Sequence, residues 1–187
     1  MLTPWTDAEG NVANVLPIAV AERGTCHLRL LSSGTSGHAS ESREDNAVVR
    51  LADAISRLGH YDWPVELATS MRACLDAVSL LRGADVLDGI DLAVPGGLDA
   101  LLRRLGPLAS VVRRAFRPST VPTMLTAGYQ VNAIPEEARA SVDVRTLPGD
   151  EEPVLAAVDS LLPDGGSREF IAHASALEPP CPRPFSE

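Results

Sequence analysis

Apolar and polar positions change period several times along the chain, and each change marks an element. From Thr25, the residues Cys26, Leu28 and Leu30 alternate with His27, Arg29 and Leu31. That period of two is the signature of a half-buried strand. A run of small residues, Gly34-Thr35-Ser36-Gly37-His38-Ala39-Ser40, follows as a loop. Val48, Leu51, Ala52, Ile55 and Leu58 then recur at helical spacing, with Asp45 as the expected N-cap and Gly59 as the stop. A second helical stretch covers residues 66–82, with Leu67, Met71, Cys74, Leu75 and Val78 on one stripe. A third covers 97–116 and is expected to break at Gly106-Pro107.

The last third returns to strands. Val121 to Ala127 is apolar and extended, and Gly128 to Pro135 is a connection. Ala140, Val142 and Val144 alternate with Arg139, Ser141, Asp143 and Arg145, which predicts a strand with one wet face. Pro148-Gly149-Asp150 forms a turn, and Val154, Leu155, Val158, Leu161 and Leu162 mark an amphipathic helix. A final strand is expected over Glu169 to Ala172. Upstream, Asp7 to Asn11 is turn-like, and Val15 to Val20 reads as a short strand broken by Pro17. The Pro-rich tail from Glu178 to Pro184 reads as a linker. Strand, helix, strand, strand, helix, strand is the ferredoxin-like split βαβ order, so the fold class is α+β: a four-stranded antiparallel sheet with two helices on one face. The helices between residues 60 and 117 are an insertion in it.

Composition narrows the function. Of 187 residues, 45% are hydrophobic, enough for an ordinary core. The net charge of −9 argues against a nucleic-acid or anionic-membrane partner. No apolar run approaches the ~20 residues that span a bilayer, and no cationic, apolar leader opens the chain. Cys26, Cys74 and Cys181 are odd in number and widely spaced, as for reduced thiols in the cytoplasm, the expected location.

The search for a complete active site finds none. His27, His38, His60 and His173 have no metal-ligand spacing, no HExxH or GxSxG motif occurs, and no helix opens directly after the Gly34/Gly37 pair as a dinucleotide fingerprint requires. Asp150-Glu151-Glu152 fits the acidic first turn of a helix. Separately, His38 reads as a turn histidine, Asn132 as a turn asparagine and Arg145 as a solvated strand arginine.

Together they read differently. Gly34, Gly37-His38-Ala39-Ser40, Asp45-Asn46-Ala47, Tyr129, Val131-Asn132, Ile134-Pro135, Val142-Asp143-Val144-Arg145 and Leu147-Pro148-Gly149 occur in this order. The series resembles the lid, or dimerisation, domain of the zinc metallopeptidase family that contains acetylornithine deacetylase, succinyl-diaminopimelate desuccinylase, aminoacylase and bacterial glutamate carboxypeptidase. The resemblance covers roughly residues 16–175. It departs after the histidine loop, where relatives often carry a proline and this chain has Glu41-Ser42-Arg43-Glu44.

The resemblance implies residues 1–21 as an arm arriving from a catalytic domain, 22–175 as the lid and 176–187 as the returning linker. It implies a homodimer through the lid, using the helix of residues 45–58 and an adjacent edge strand. His38 would donate a hydrogen bond to the oxyanion of an amide under hydrolysis in the partner subunit's site, while Asn132 and Arg145 would bind a peptide or N-acyl amino acid substrate. Two zinc ions are expected in the intact enzyme, with no metal ligand and no activity in this chain alone. A stand-alone self-association module and a ferredoxin-like regulatory domain for a small ligand are the alternatives.

Overall fold

The structure is a computed structural model describing residues 3–6, 12–15 and 18–180. Strands β1 (Thr3–Thr6) and β2 (Val12–Val15) form an antiparallel hairpin. The expected turn at 7–11 lies outside the described residues, as do Pro17 and the tail from 181. The expected strand over Val15–Val20 is not found: β2 ends at Val15, and residues 18–20 are exposed and irregular.

The centre of the fold is a four-stranded antiparallel sheet of β3 (Gly24–Ser33), β5 (Ser119–Ala127), β7 (Glu137–Thr146) and β8 (Ser167–Ala174), in the order β5-β7-β3-β8. β3 and β7 pair over their full length, from Gly24 opposite Thr146 to Ser33 opposite Glu137. Cys26, Leu28 and Leu30 of β3 and Ala138, Ala140, Val142 and Val144 of β7 all point to one face and are buried. That face is covered by α1 (Ala47–Gly59), through Leu51 and Leu58, and by α5 (Glu151–Ser160), through Val154 and Val158. Each fully buried leucine here contributes about 1.5–3 kcal/mol, so the alternation read in the sequence is the main source of sheet stability.

Between the first helix and the second long strand lies a helical region with its own apolar cluster. α2 (Thr69–Arg82) and α3 (Gly97–Leu105) supply Met71, Leu75, Val78, Leu101, Leu102 and Leu105. After Leu105 the chain tightens into a 3₁₀ turn over Gly106–Leu108, continues through the short α4 (Ala109–Val112), and tightens again over Arg113–Ala115. Pro107 sits where the helix was expected to break, because it cannot supply an N–H to the preceding turn. Phe116 closes this cluster. Trp63, in the core under the sheet, ties α1 to β5 through polar atoms: its Nε1–H donates to Thr120 Oγ1 at 3.2 Å, and that hydroxyl donates to the Leu58 carbonyl at 2.9 Å. Among the described residues no helix is long and apolar enough to cross a membrane.

The chain arrives at and leaves the sheet at one place. Glu22 and Leu177 exchange both backbone hydrogen bonds, at 2.8 and 2.9 Å. One residue further out, Glu178 Oε1 accepts from Ser70 N–H at 2.6 Å. It thereby caps α2, whose own Ala68 offers no capping side chain.

The N-cap of α1 corrects the expectation from sequence. Asn46, not Asp45, takes that position, its Oδ1 accepting from Val48 and Val49 N–H at 2.9 and 3.4 Å. Asp45 instead turns back to accept from Thr35 N–H at 2.8 Å. Asn46→Ala is therefore expected to lower stability by about 1 kcal/mol, readable as a shift of the urea midpoint.

Asp150, in the turn before α5, generates a second expectation. Its Oδ1 accepts from Leu147 N–H at 2.7 Å, while its buried Oδ2 has no partner. Burial pushes its pKa from 3.8 up to about 6, against the opposing hydrogen bond from Leu147. The folded chain thus keeps this proton where an unfolded chain releases it, and loses relative stability as pH rises across that window. Asp150→Asn is expected to be more stable than the parent sequence above about pH 6, with the advantage vanishing below about pH 4. Thermal denaturation at several pH values checks both ends.

Candidate functional site

His38 stands on a feature too short to have been read in the sequence. β4 (Gly37–His38) pairs antiparallel with β6 (Ala133–Ile134), with His38 opposite Ala133. Ala39 N–H adds a bond to the Asn132 carbonyl at 3.0 Å. Two loops expected to be plain connections are therefore zipped together, and two of the three predicted site residues meet there. Both are exposed. Asn132 Oδ1 accepts from Gln130 Nε2 at 2.5 Å. On the His38 ring, Nδ1 lies 2.8 Å from Ser40 Oγ and accepts from Ser40 N–H at 3.3 Å.

The loop is braced without proline. Arg43 pairs with Glu41 at 2.7 Å, and both side chains lie against Gly37, where an added Cβ would meet them at 2.9 to 3.2 Å. Gly34 passes so close to the backbone of Asp45 that a Cβ would sit 2.0 Å from its carbonyl oxygen. These two glycines let the segment fold back over the start of α1.

Arg145 lies elsewhere. It is the penultimate residue of β7, paired with Thr25 at the beginning of β3. The ribbon carrying His38 leaves from the other end of those strands. Eight positions at ~3.4 Å each separate Arg145 from Glu137, or roughly 27 Å. Arg145 is on the face that the helices leave open, as the alternation predicts. Its guanidinium grips Asp143 with two nitrogens, at 2.8 and 3.1 Å, and reaches Thr25 Oγ1 at 2.5 Å. Arg23 donates to the Arg145 carbonyl at 3.1 Å. This is a preset fork already holding a carboxylate, the geometry that binds such groups most firmly. Asp143 stood in the motif series without a role, and Thr25 was not singled out from sequence. The i, i+2 spacing of Asp143 and Arg145 on one strand face was the available signal for the first, and nothing local marked the second.

Among the described residues one group brings three metal-type donors together: Cys26, Glu151 and His173, with ligand atoms within 4.8 Å of one another. A thiol, a carboxylate and an imidazole offer three donors at one point, too few for the paired zinc ions that the resemblance implies for the intact enzyme. His173 Nε2 is already bonded to Glu151 Oε1 at 2.7 Å, and burial pushes the Cys26 thiol up. The group joins the first turn of α5 to β8, where a register shift opposite His27/Leu28 alters the strand's alternation.

Comparison with known proteins agrees with this architecture. The pattern of the peptidase dimerisation domain matches residues 20–166. The human N-fatty-acyl-amino acid synthase/hydrolase is 30% identical over 132 residues, which cover 71% of this chain and 26% of that protein. A probable carboxypeptidase S-like protein of Dictyostelium discoideum is 26% identical over 139 residues, again 26% of its length. The chain thus spans about a quarter of the curated relatives it matches. Among solved structures, the aminobenzoyl-glutamate utilization protein of Klebsiella pneumoniae superposes with a TM-score of 0.52 at 15% identity, over 86% of this chain and 31% of that one. With its ordered motif series, this sheet and a family pattern covering most of its length, the chain belongs to the dimerisation-domain family of the M20 metallopeptidases.

Proposed function

We propose that the chain is the lid and dimerisation unit of a zinc-dependent exopeptidase or amidohydrolase acting on peptides or N-acyl amino acids. The unit is a ferredoxin-like split βαβ fold over residues 22–175, with a helical insertion at about 60–117 and connecting arms at 1–21 and 176–187. The strand order and the Glu22–Leu177 bridge support this division, since a unit inserted into another domain must be entered and left side by side.

The observation that carries the reading is the separation of the predicted site residues. His38 and Asn132 sit at one end of the sheet and Arg145 roughly 27 Å along β7, so one subunit's residues do not converge on one substrate. A two-fold dimer resolves this, with His38 and Asn132 of one subunit completing the site that Arg145 of the other lines. β5 is the sheet edge suited to such pairing. Its outer residues Val121, Met124 and Leu125 are exposed, as is Val49 on the neighbouring α1. Exposed apolar edges of this kind pair with a second copy.

In that assembly His38 donates a hydrogen bond where negative charge develops on the substrate oxygen. Arg145 exchanges Asp143 for a substrate carboxylate, and Asn132 contacts the substrate amide. The paired zinc ions and the general base belong to the catalytic domain, for which these residues offer no donors; the unit works with such a domain in the cytoplasm. The family match favours this reading over a regulatory ferredoxin-like domain.

Three outcomes are expected. The purified chain with added zinc leaves dipeptides and N-acyl amino acids intact; turnover would place the active site here and sink the proposal. Light scattering gives twice the chain mass, and Met124→Glu with Leu125→Arg returns it to one; a monomer at all concentrations contradicts the edge-pairing argument. In an enzyme carrying this unit, His38→Ala lowers kcat by ~10²–10³, the usual cost of losing an oxyanion donor.

A further inference from the structure

The two ring nitrogens of His38 are in different situations, and the difference has a chemical consequence. A backbone N–H can only donate, so the Ser40 N–H at 3.3 Å makes Nδ1 an acceptor. A neutral imidazole carries one proton, which is then on Nε2. The Ser40 hydroxyl, 2.8 Å from the same Nδ1, donates to it as well.

This contact is a product of the turn. His38 C=O accepts from Glu41 N–H at 2.9 Å, closing a four-residue turn in which Ser40 holds the third position. The preceding peptide is tied down by Ala39 N–H on the Asn132 carbonyl. With both flanking peptide groups held, the Ser40 N–H and hydroxyl come back over the His38 ring. The relation is that of an Asx-turn, where a side-chain acceptor takes the N–H two residues on, with imidazole in place of the amide.

We propose that Ser40 is a positioning residue that selects the Nε2–H tautomer of His38, so that its outward nitrogen is a hydrogen-bond donor. The inference rests on the reading of His38 as an oxyanion donor. With the proton on Nδ1, the ring would direct a lone pair at a negatively charged oxygen and repel it. Asn132 contributes through its backbone carbonyl, which anchors the turn, as well as through its side chain.

His60 supplies an internal reference. Its Nδ1 lies 2.8 Å from the Ser56 carbonyl, which can only accept, so His60 carries its proton on Nδ1 when neutral. The same chain thus holds two histidines of opposite tautomer, each set by a neighbouring serine's atoms.

The test is nitrogen-15 NMR of the histidine-labelled chain at alkaline pH, where imidazole is neutral and its two nitrogen shifts report the tautomer ratio. In the parent chain His38 is expected almost wholly as Nε2–H, and His60 as Nδ1–H. Ser40→Ala keeps the N–H that fixes the tautomer and should leave His38 as Nε2–H, whereas Ser40→Pro removes that N–H and should reduce the His38 ratio roughly 3- to 10-fold, the worth of one ordinary hydrogen bond. His60 should report an unchanged fold in both. An Nδ1–H majority at His38 in the parent chain, or an unchanged His38 ratio in Ser40→Pro, overturns the proposal. The measurement needs no catalytic partner. If His38→Ala leaves an enzyme's kcat intact while Ser40 still sets the tautomer, the oxyanion reading alone has failed.

Discussion

Ten consecutive residue pairs between β3 and β7 determine where everything else in this unit stands. The two strands form the middle of the sheet, and their inward residues carry the larger core. Their two ends carry the proposed site residues: the ribbon with His38 and Asn132 continues from one, and Arg145 with Thr25 and Asp143 occupies the other. A slip of one residue would turn Leu28, Leu30, Val142 and Val144 outward and exchange the environment of Arg145 for that of a buried methyl. The register is therefore fixed by apolar burial, and the distance between the polar sites is fixed with it.

Electrostatics complement that frame at its polar end. Arg145, Arg23, Asp143 and Asp150 gather near the ends of β3 and β7, and burial depresses the pKa of Arg23, with the nearby Arg145 adding to the effect. Asp150 is held above the ordinary carboxylate range in the same neighbourhood. At the His38 end the groups are exposed and the arrangement depends on short backbone hydrogen bonds instead. One end is a partly desolvated charge cluster, and the other is a solvated, hydrogen-bonded ribbon.

Long elements were legible because periodicity needs several residues to show itself. The alternations in β3 and β7, the stripe of α2 and the break at Pro107 were legible; in α1 Leu51 and Leu58 are buried as expected, but Ala52 is exposed and Ala47 and Ala54 are buried instead. The β4–β6 ribbon was not, because two residues per strand carry no period and its partners are 95 positions apart, from His38 to Ala133. Asp45 and Asn46 are both good caps, and only the competing demand of Thr35 N–H for a carboxylate separates their roles. The three proposed site residues came from a motif series and not from local chemistry. Ser40 lay within that series, but its effect on His38 depends on a turn closed by backbone atoms, which composition does not reveal.

The double hydrogen bond between Glu22 and Leu177 has a mechanical side. Two chain segments joined at one level act as a two-legged hinge and not as a single tether. Such a ribbon bends readily about an axis across its width, while twisting would shear the paired bonds. Glu178, fastened to the start of α2 beside it, makes the helical insertion follow the outgoing leg. A displacement of the incoming segment at Glu22 is thereby passed to the outgoing one at Leu177, and through Glu178 to the start of α2.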